Sequence, residues 1–335
     1  MITSTTRVAL VGADTLLGRE IKDVIASGAR KALIQSFASN GEANFGEEGD
    51  ETVFRQALGL EILSQVNAVI SAGSPAGAVK ALNLARAVPE RPILIDCTGS
   101  LDHEAESRIF APLIDDAVPQ SHIVAIAHPA AAALAATLSR LAVYGPISRA
   151  IFEIFEPASE QGRLGLAELQ QQTSNLLSFK TLDKKIYDAQ VSFAMLPAYG
   201  EDAPQSLASI EQRIEKHLAA VLARLAHSGT AIPMPSLRLV QAPVFHGYTF
   251  SGWIEFESHA QPSEIEATLA LPHIDVRASG QGVPTNIGVA GQSGLVVGDI
   301  RVDRNNSRAI WLWAVSDNLR TVADGVRELI SKVER

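Results

Sequence analysis

Short apolar runs alternate with helical patterns through the first part of this sequence, and no other feature constrains the fold as strongly. Arg7 to Val11 is an apolar run that ends at Gly12, and Leu16 to Ile25 follows with helical periodicity. The pattern continues with strands at Ala32 to Phe37, Ala68 to Ser71, Ile93 to Asp96 and Ile123 to Ile126, and with a helix at Ala76 to Ala87. Such alternation predicts an α/β domain whose mainly parallel sheet is covered on both faces.

The pattern changes after Pro129, where an alanine-rich helix extends to about Ala142. Predicted strands of a mixed or antiparallel sheet follow at Ile151 to Phe155, Leu237 to Ala242, Tyr248 to Phe256, Ile274 to Ala278, Leu295 to Val302 and Ala309 to Val315. Amphipathic helices at Leu164 to Leu177 and Leu207 to Ala226 are expected to cover one face of that sheet, before a final helix at Thr321 to Lys332. Because 335 residues exceed one ordinary core, we expect two domains: residues 1–127 completed by the C-terminal segment 317–335, and an inserted domain at 128–316.

The charge balance and the cysteine count exclude several functional classes. A net charge of -9 without a Lys/Arg-rich block argues against nucleic acid or an anionic membrane as a partner, because both need clustered positive charge. The N-terminus lacks the regions of a signal peptide, and no apolar run is long enough to span a membrane. Cys97 is the single cysteine and the histidines lack metal-ligand spacing, so we predict neither a disulfide nor a metal site. These features predict a cytoplasmic protein, with the acidic stretch from Glu42 to Glu51 as a solvated loop.

The segment Gly12-Ala13-Asp14-Thr15-Leu16-Leu17-Gly18 lies between a predicted strand and a predicted helix. In this context backbone N–H groups and the helix dipole can hold a pyrophosphate. Gly12 would permit the tight turn and Gly18 the close packing of helix on strand, whereas Thr15 stands where a middle glycine normally lets a ligand approach. The segment is also compatible with an ordinary connection between a strand and a helix.

Five further segments carry a resemblance to a known family. They are Ser71-Ala72-Gly73, Ile95-Asp96-Cys97-Thr98, Ala127-His128-Pro129, Gln241-Ala242-Pro243-Val244-Phe245-His246-Gly247 and Val315-Ser316-Asp317-Asn318-Leu319-Arg320. In their order and spacing the chain resembles the aspartate-semialdehyde dehydrogenase family over nearly its whole length. The resemblance implies a Rossmann-type N-terminal domain, an inserted α+β dimerisation domain and a homodimer. It also implies an enzyme that uses NADPH to reduce aspartyl phosphate through a cysteine thioester, with a histidine as acid/base and basic residues that hold the anionic groups of the substrate.

The resemblance assigns the chemical groups of the family to five positions at which this chain differs. The nucleophilic cysteine corresponds to Ala131, the catalytic histidine to Tyr248 and the substrate-binding arginine to Gln241. A second arginine corresponds to Asp102, and the active-site glutamine corresponds to Glu156. An alanine methyl group cannot attack an acyl phosphate, and a carboxylate about 4 Å from a phosphate is repelled by roughly 4 kcal/mol at an effective dielectric of about 20. The family's reaction is therefore not expected here.

The positions expected to bind the cofactor are only partly retained. By resemblance they are Gly12, Asp14, Thr15, Leu16, Gly18, Ser71, Ala72, Gly73 and Asn318. The stretch Phe37-Ala38-Ser39-Asn40 has no arginine for the 2′-phosphate of NADP, and no acidic residue ends that strand to bind the ribose of NAD. NADP and NAD both remain candidate cofactors, and the glycines could equally persist because they shape the backbone.

Other residues offer alternative chemistry. Cys97 could be a relocated nucleophile, although we favour its interpretation as a small buried apolar residue. His128 and His246 could act as an acid/base pair or bind an anion, or they could fill space as hydrogen-bonded residues. Glu211 and Arg213 match a Glu-x-Lys pattern of the family or form a solvated helix face. We interpret one aromatic set as a dimer interface rather than a substrate cage: Phe245, Tyr248, Phe250, Trp253 and Phe256.

Two functional hypotheses follow. The first is a non-catalytic homodimer that keeps the scaffold of the family and binds a dinucleotide or a small metabolite, as a sensor or partner protein. The second is an oxidoreductase with altered chemistry that uses NAD(P) and an aldehyde or acyl substrate less anionic than aspartyl phosphate. Cofactor binding and turnover distinguish the two.

Overall fold

The computed structural model describes residues 6–28, 32–48, 51–227, 231–278 and 280–333. The chain divides into two compact units, residues 1–128 with 322–335 and residues 129–321. The first unit is thus formed by both ends of the chain, whereas the second is one continuous stretch. Among the described residues, no helix combines the length and the apolar character that crossing a membrane would require.

The first unit is a parallel sheet with helices on both faces. Its elements are β1 (Thr6–Val11), α1 (Leu16–Ser27), β2 (Ala32–Phe37), β3 (Asn44–Glu48), β4 (Glu51–Arg55), α2 (Leu60–Leu63), β5 (Ala68–Ser71), α3 (Pro75–Ala87), β6 (Ile93–Asp96), β7 (Ser107–Phe110), β8 (Ile123–Ile126) and most of the C-terminal helix (Asn318–Lys332). Six strands pair in parallel in the order β2-β1-β5-β6-β8-β7. Buried side chains of α1 and the C-terminal helix pack on one face, and those of α2 and α3 pack on the other. The predicted α/β architecture is confirmed.

Local signals explain where the helices of this unit begin. The Thr15 hydroxyl accepts a hydrogen bond from the Gly18 N–H at the start of α1. Ser74 caps α3 in the same way through the Gly77 N–H, and Pro75 occupies the first turn, where its missing N–H costs nothing. The central strands β5 and β8 are buried at every position, as expected for strands covered on both faces.

The stretch predicted as an acidic surface loop contains a β-hairpin. Strands β3 and β4 pair antiparallel with Phe45 opposite Phe54, and the two ring centroids lie 5.2 Å apart. The loop prediction was wrong about secondary structure, because the acidic residues between these aromatic positions obscure the apolar–polar alternation of a strand. Asp50 lies outside the described residues. The sequence patterns also missed β7 and α2, whose four residues each are too few to show a period.

The second unit is a six-stranded mixed sheet that packs against helices. Its elements are α4 (Pro129–Tyr144), β9 (Ile147–Glu156), a 3₁₀ helix (Ala158–Gln161), α5 (Gly162–Leu177), α6 (Leu207–His227), β10 (Ser236–Gln241), β11 (Tyr248–Phe256), α7 (Pro262–Leu269), β12 (Ile274–Arg277), β13 (Leu295–Asp303) and β14 (Asn306–Ser316). The strand order is β10-β9-β11-β14-β13-β12, with parallel pairing at the two ends of the sheet and antiparallel pairing between them. Helices α4 and α6 and the unpredicted α7 pack on the strands. Helix α5, expected to share that role, packs on the 3₁₀ helix and on Tyr187 and Val191.

Candidate functional site

The glycine turn after β1 has the tight backbone geometry expected of it. Gly12 has a φ of +95°, and the N–H groups of Gly12 and Ala13 donate to the Phe37 carbonyl oxygen at 3.1 and 3.2 Å. A Cβ on Gly12 would overlap the backbone of Gly73, and a Cβ on Gly18 would overlap the Gly12 carbonyl group. Packing between neighbouring loops therefore requires these glycines whether or not a ligand binds.

Thr15 fills the position at which a middle glycine is normally found. Its Oγ1 lies 2.8 Å from the carbonyl oxygen of Gly12 and 2.9 Å from that of Ala72, and it accepts from the Gly18 N–H at 2.9 Å. One N–H group at the start of α1 is thus satisfied by the chain itself. A pyrophosphate would have to use the remaining N–H groups of the first turn, which begins at Leu16.

Two buried polar atoms beside this turn have no hydrogen-bond partner in the part of the chain that the structure describes. They are Ser71 Oγ, at the end of β5, and Oδ1 of Asp14. Ligands of open α/β sheets bind at the carboxyl ends of parallel strands, where Ser71 lies. Buried hydroxyl groups are normally hydrogen-bonded, so the unpartnered Ser71 hydroxyl is available to bind a ligand. Together with the glycine turn, it fits a dinucleotide.

The loop after β2 is where Rossmann-type folds contact the ribose of a dinucleotide. Lys80 Nζ lies 2.7 Å from Glu42 Oε1 and 2.7 Å from the Gly41 carbonyl oxygen. The Asn40 side chain accepts from the Glu42 N–H at 3.0 Å. The lysine charge is thus paired with a carboxylate in this loop.

Three of the five positions that the resemblance assigns to chemistry meet in one buried cluster of the second unit. Glu156 ends β9, Gln241 lies opposite it at the end of β10, and Tyr248 begins β11. Tyr199 bridges the first two, because its hydroxyl oxygen lies 3.0 Å from Glu156 Oε1 and 2.6 Å from Gln241 Oε1. Sequence reasoning missed Tyr199, since no local pattern marks a tyrosine as the partner of a carboxyl group 43 residues away.

Backbone hydrogen bonds hold this cluster together. Leu196 and Gln241 exchange two N–H···O bonds of 3.0 Å, which attach the segment containing Tyr199 to β10. Gln241 Nε2 donates to the carbonyl oxygens of Glu156 at 3.0 Å and Ala242 at 2.9 Å. The amide oxygen of Gln241 therefore faces Tyr199, and the Glu156 and Gln241 side chains are both fully buried.

The surroundings of Glu156 favour its neutral form. Burial makes the largest contribution and the Glu160 carboxylate adds to it, whereas hydrogen bonds with Tyr199, Gln161 and Tyr248 act in the opposite direction. Together they raise the pKa of Glu156 to about 8. The pKa values of Tyr199 and Tyr248 are raised above their usual range, first by burial and then by Glu156. The cluster is therefore a set of neutral hydrogen-bonding groups, unlike a site that binds an anion.

Asn318, predicted to contact the cofactor, is hydrogen-bonded within the second unit. Its Oδ1 accepts from Ser159 Oγ at 3.0 Å and from the Gly247 N–H at 3.4 Å. Its Nδ2 donates to Glu160 Oε2 at 3.2 Å, and the side chain is buried. These bonds connect Asn318 to the Glu156 cluster through Glu160. Its role towards a nicotinamide ring stays a prediction.

The other predicted positions are distributed over both units. Ala131 lies fully buried in the first turn of α4, and Asp102 is half-buried in the turn after β6. Cys97 packs partly buried against the core of the first unit, as expected for a small apolar residue. His128 is buried in the first unit, whereas the His246 carbonyl oxygen accepts from Asn286 in the second. The proposed pairing of these histidines stays a prediction.

Glu211 joins two elements of the second unit. Its Oε2 accepts a hydrogen bond from the Leu239 N–H, which connects α6 to β10. Glu211 and Arg213 are both only half-exposed. The alternative of a fully solvated helix face is therefore wrong for this pair.

The aromatic set predicted as a dimer interface is divided between the two faces of β11 and the preceding loop, which holds Phe245. Tyr248, Phe250 and Phe256 are fully buried, and Phe256 lies edge-on to Tyr144 of α4 at 5.0 Å. The interface prediction is wrong for these three, because side chains alternate along a strand and theirs lie on its buried face. Only Phe245 and Trp253 of the predicted set retain exposure.

The opposite face carries a different apolar set, which we call the tryptophan face: Ile151, Phe155, Trp253, Trp311 and Trp313. It holds all three tryptophans of the chain. Trp253 and Trp311 are direct cross-strand neighbours, and their indole N–H groups donate to Asp303 Oδ2 at 2.7 and 3.2 Å. Ile151 is 48% exposed and Trp311 39% exposed. An ordered, partly exposed aromatic surface is typical of a protein interface.

Comparison with known proteins agrees with this architecture. The family described as "Semialdehyde dehydrogenase, dimerisation domain" matches residues 138–321. A "USG-1 protein homolog" of Pseudomonas aeruginosa is 31% identical over 166 residues, which are 48% of this chain and 47% of that protein. An "Aspartate-semialdehyde dehydrogenase" of Shewanella sp. is 28% identical over 176 residues, 52% of this chain and 50% of that protein. The chain thus spans about half the length of these curated relatives in the matched regions.

Solved structures match over nearly the whole chain. A probable aspartate-semialdehyde dehydrogenase from Pseudomonas aeruginosa superimposes with a TM-score of 0.82 and 22% identity, covering 98% of both chains. The enzyme of Candida albicans, solved with NADP, gives a TM-score of 0.67 at 15% identity and also covers 98% of both chains. Identities this low establish the fold alone. Because the matched dimerisation domain accounts for more than half of the sequence, the chain belongs to the semialdehyde dehydrogenase family.

Proposed function

We propose that this chain is a non-catalytic homodimer of the semialdehyde dehydrogenase family that retains a dinucleotide site. One observation carries the proposal: Glu156, Gln241 and Tyr248, at three of the positions expected to carry chemistry, are buried together with Tyr199 in one hydrogen-bonded cluster. Groups that satisfy one another in the interior are not available to a substrate. A site built to hold an anionic substrate would instead offer unpaired cationic donors.

The position of the expected nucleophile supports the same conclusion. Ala131 is fully buried in the first turn of α4, where the helix dipole would help to stabilise a thiolate if a cysteine were present. A methyl group cannot form the thioester on which the family's reaction depends. Loss of a nucleophile alone typically lowers the rate by about 10⁴-fold or more.

We expect no enzymatic turnover. Incubation with aspartate semialdehyde, phosphate and NADP or NAD should give no change in nicotinamide absorbance above background, whereas the Shewanella relative assayed in parallel serves as the positive control. Ala131→Cys alone should leave the rate at background, because the new thiol would still lack a histidine at Tyr248 and an arginine at Gln241. Turnover by the unmodified chain with this or another aldehyde would support the alternative, an NAD(P)-dependent oxidoreductase with altered chemistry.

The homodimer is proposed to form through the tryptophan face. Residues 138–321, which match the dimerisation domain, include every strand that contributes to this face. An isologous dimer places the same surface of each copy against the other, so one interface would bury Ile151 and Trp311 of both copies. Charged residues lie at one end of this face, where Glu255 pairs with Arg149 and Arg308, and polar residues at the edge are typical of such surfaces.

Binding of NAD is proposed at the glycine turn, with Ser71 as one of its donors. At a NAD concentration of about ten times Kd, the folded protein should gain about 1.4 kcal/mol of stability, visible as a rise in Tm. Ser71→Ala should leave the Tm of the unliganded protein nearly unchanged, because the removed hydroxyl has no partner among the described residues, yet it should reduce the shift caused by NAD. Absence of any shift at millimolar NAD and NADP would refute dinucleotide binding and leave the non-catalytic proposal intact.

A further inference from the structure

The Tyr199 hydroxyl makes two short oxygen–oxygen contacts, to Glu156 and to Gln241, and its one hydrogen cannot fill both if the Glu156 carboxyl group is ionised. Both hydrogens of the Gln241 amide are used by the carbonyl oxygens of Glu156 and Ala242, so its Oε1 can only accept. The Tyr199 hydroxyl has a single hydrogen, and its shorter contact, 2.6 Å, is to that Oε1. The remaining 3.0 Å contact between the Tyr199 oxygen and Glu156 Oε1 needs another hydrogen, which a protonated carboxyl group supplies.

The groups that face Glu156 from the neighbouring elements add no compensating positive charge. They are Tyr199 from the segment before α6, Tyr248 from β11, and Glu160 and Gln161 from the 3₁₀ helix. The only charged group of this set is acidic, and it disfavours a second negative charge nearby. Tyr187, which packs edge-on against Tyr199 with ring centroids 5.3 Å apart, closes the cluster with another neutral ring.

We propose that Glu156 is a neutral carboxylic acid at neutral pH and acts as a proton-operated clasp between the segment 196–200 and the ends of β9 and β10. In the closed state the carboxyl hydrogen is donated to Tyr199, and Tyr199 donates to Gln241. When the proton passes to water or buffer, a buried carboxylate faces the Tyr199 oxygen without a hydrogen between them, next to Glu160. The segment then separates from β10 at the paired Leu196 and Gln241 amides, which hydrates the carboxylate.

The sign of the pH dependence follows from linkage. In the open state the carboxyl group has its ordinary pKa of 4.5, whereas in the closed state the pKa is raised to about 8. The closed state is thus most stable below pH 4.5 and loses this stability as the pH rises towards 8. The equilibrium constant for opening should increase roughly tenfold per pH unit between about pH 5 and 8 and level off above.

Infrared spectroscopy tests the protonation directly. The wild-type protein at pH 6.5 should show the carbonyl stretch of one protonated carboxylic acid, which should disappear on titration through about pH 8. The band should be absent in Glu156→Gln and retained in Glu201→Gln, a matched change of an exposed carboxylate in the same loop. A wild-type protein without this band at pH 6.5 would overturn the proposal, and that measurement needs no variant to fold.

Hydrogen exchange tests the clasp. After correction for intrinsic rates, opening at the Leu196 and Gln241 amides should rise about a hundredfold from pH 5.5 to 7.5 in the wild type and in Glu201→Gln. In Glu156→Gln it should not depend on pH, because the amide donates to Tyr199 without titrating. The same pH dependence in Glu156→Gln and wild type would contradict the role of Glu156. This outcome is independent of whether the chain dimerises, binds NAD or catalyses a reaction.

Discussion

Gly18→Ala is expected to destabilise the first unit by more than about 3 kcal/mol, although helix propensity alone would favour alanine by about 1 kcal/mol. The added Cβ would overlap the Gly12 carbonyl group and the backbone of Ala13, neither of which can move like a side chain. The Gly12 N–H donates to the Phe37 carbonyl oxygen at the end of β2, and this bond holds the glycine turn in place. Relief of the overlap therefore requires α1 to shift away from β1.

Hydrogen exchange of β1 amides reports the stability of this unit selectively, and urea unfolding gives the corresponding free energy. Gly59→Ala is the matched control, because a Cβ at Gly59 would meet no atom within 4 Å and its backbone is extended. The control should change stability by less than about 0.5 kcal/mol. Equal stability of the two variants would show that the glycine at position 18 is not required by packing.

Ile151→Glu is expected to dissociate the proposed homodimer. In an isologous interface each substitution occurs twice, so two carboxylates would be transferred from water into an apolar surface beside Trp253 and Trp311. The dimer Kd should rise by at least about 10³-fold, equivalent to about 4 kcal/mol. The monomer should fold normally, because the Ile151 side chain is about half exposed within one copy of the chain.

Sedimentation measures the mass of each variant, and fluorescence adds a local signal. Since all three tryptophans lie on the tryptophan face, dissociation should shift their emission towards longer wavelength. Leu33→Glu is the matched control: it adds the same charge at an exposed aliphatic position, but on β2 of the first unit. A dimer that survives Ile151→Glu as well as it survives Leu33→Glu would place the interface elsewhere.

The two proposals about the second unit have a common physical basis. Its sheet packs helices on one face and carries the tryptophan face, the proposed dimer interface, on the other, and the ends of β9, β10 and β11 place Glu156, Gln241 and Tyr248 together. The dimer would use the open face, whereas the clasp lies at the buried strand ends. Variants of Ile151 and Glu156 should therefore affect association and the pH dependence of opening separately.

Much of the fold could be predicted because its signals are local. Buried parallel strands appear as short apolar runs, and this is why β5, β6 and β8 have the predicted ends. The glycine turn could also be predicted from the sequence, since a positive φ at Gly12 and close packing at Gly18 each require glycine. The hairpin of β3 and β4 could not be predicted, because its charged residues interrupt the apolar–polar alternation on which strand prediction depends.

The candidate site was less predictable, because its residues are related by pairing between distant segments. Resemblance singled out Glu156, Gln241 and Tyr248 as positions of altered chemistry, but Tyr199 carries no comparable local signal. The prediction that Tyr248 and Phe250 lie in a dimer interface was wrong for a related reason. A strand's alternation separates its two faces, yet only the helices that pack on the sheet decide which face is buried.

By itself the sequence determined the two-part α/β organisation, the glycine turn and the absence of a thiol at position 131, since each depends on residue identity or local periodicity. Only the tertiary structure decided that Tyr199 bridges Glu156 and Gln241, and that the tryptophans share one face. Both follow from strand register, which brings together residues as far as 85 positions apart. Register is set by the packing of the whole sheet, a long-range property that no short window of sequence contains.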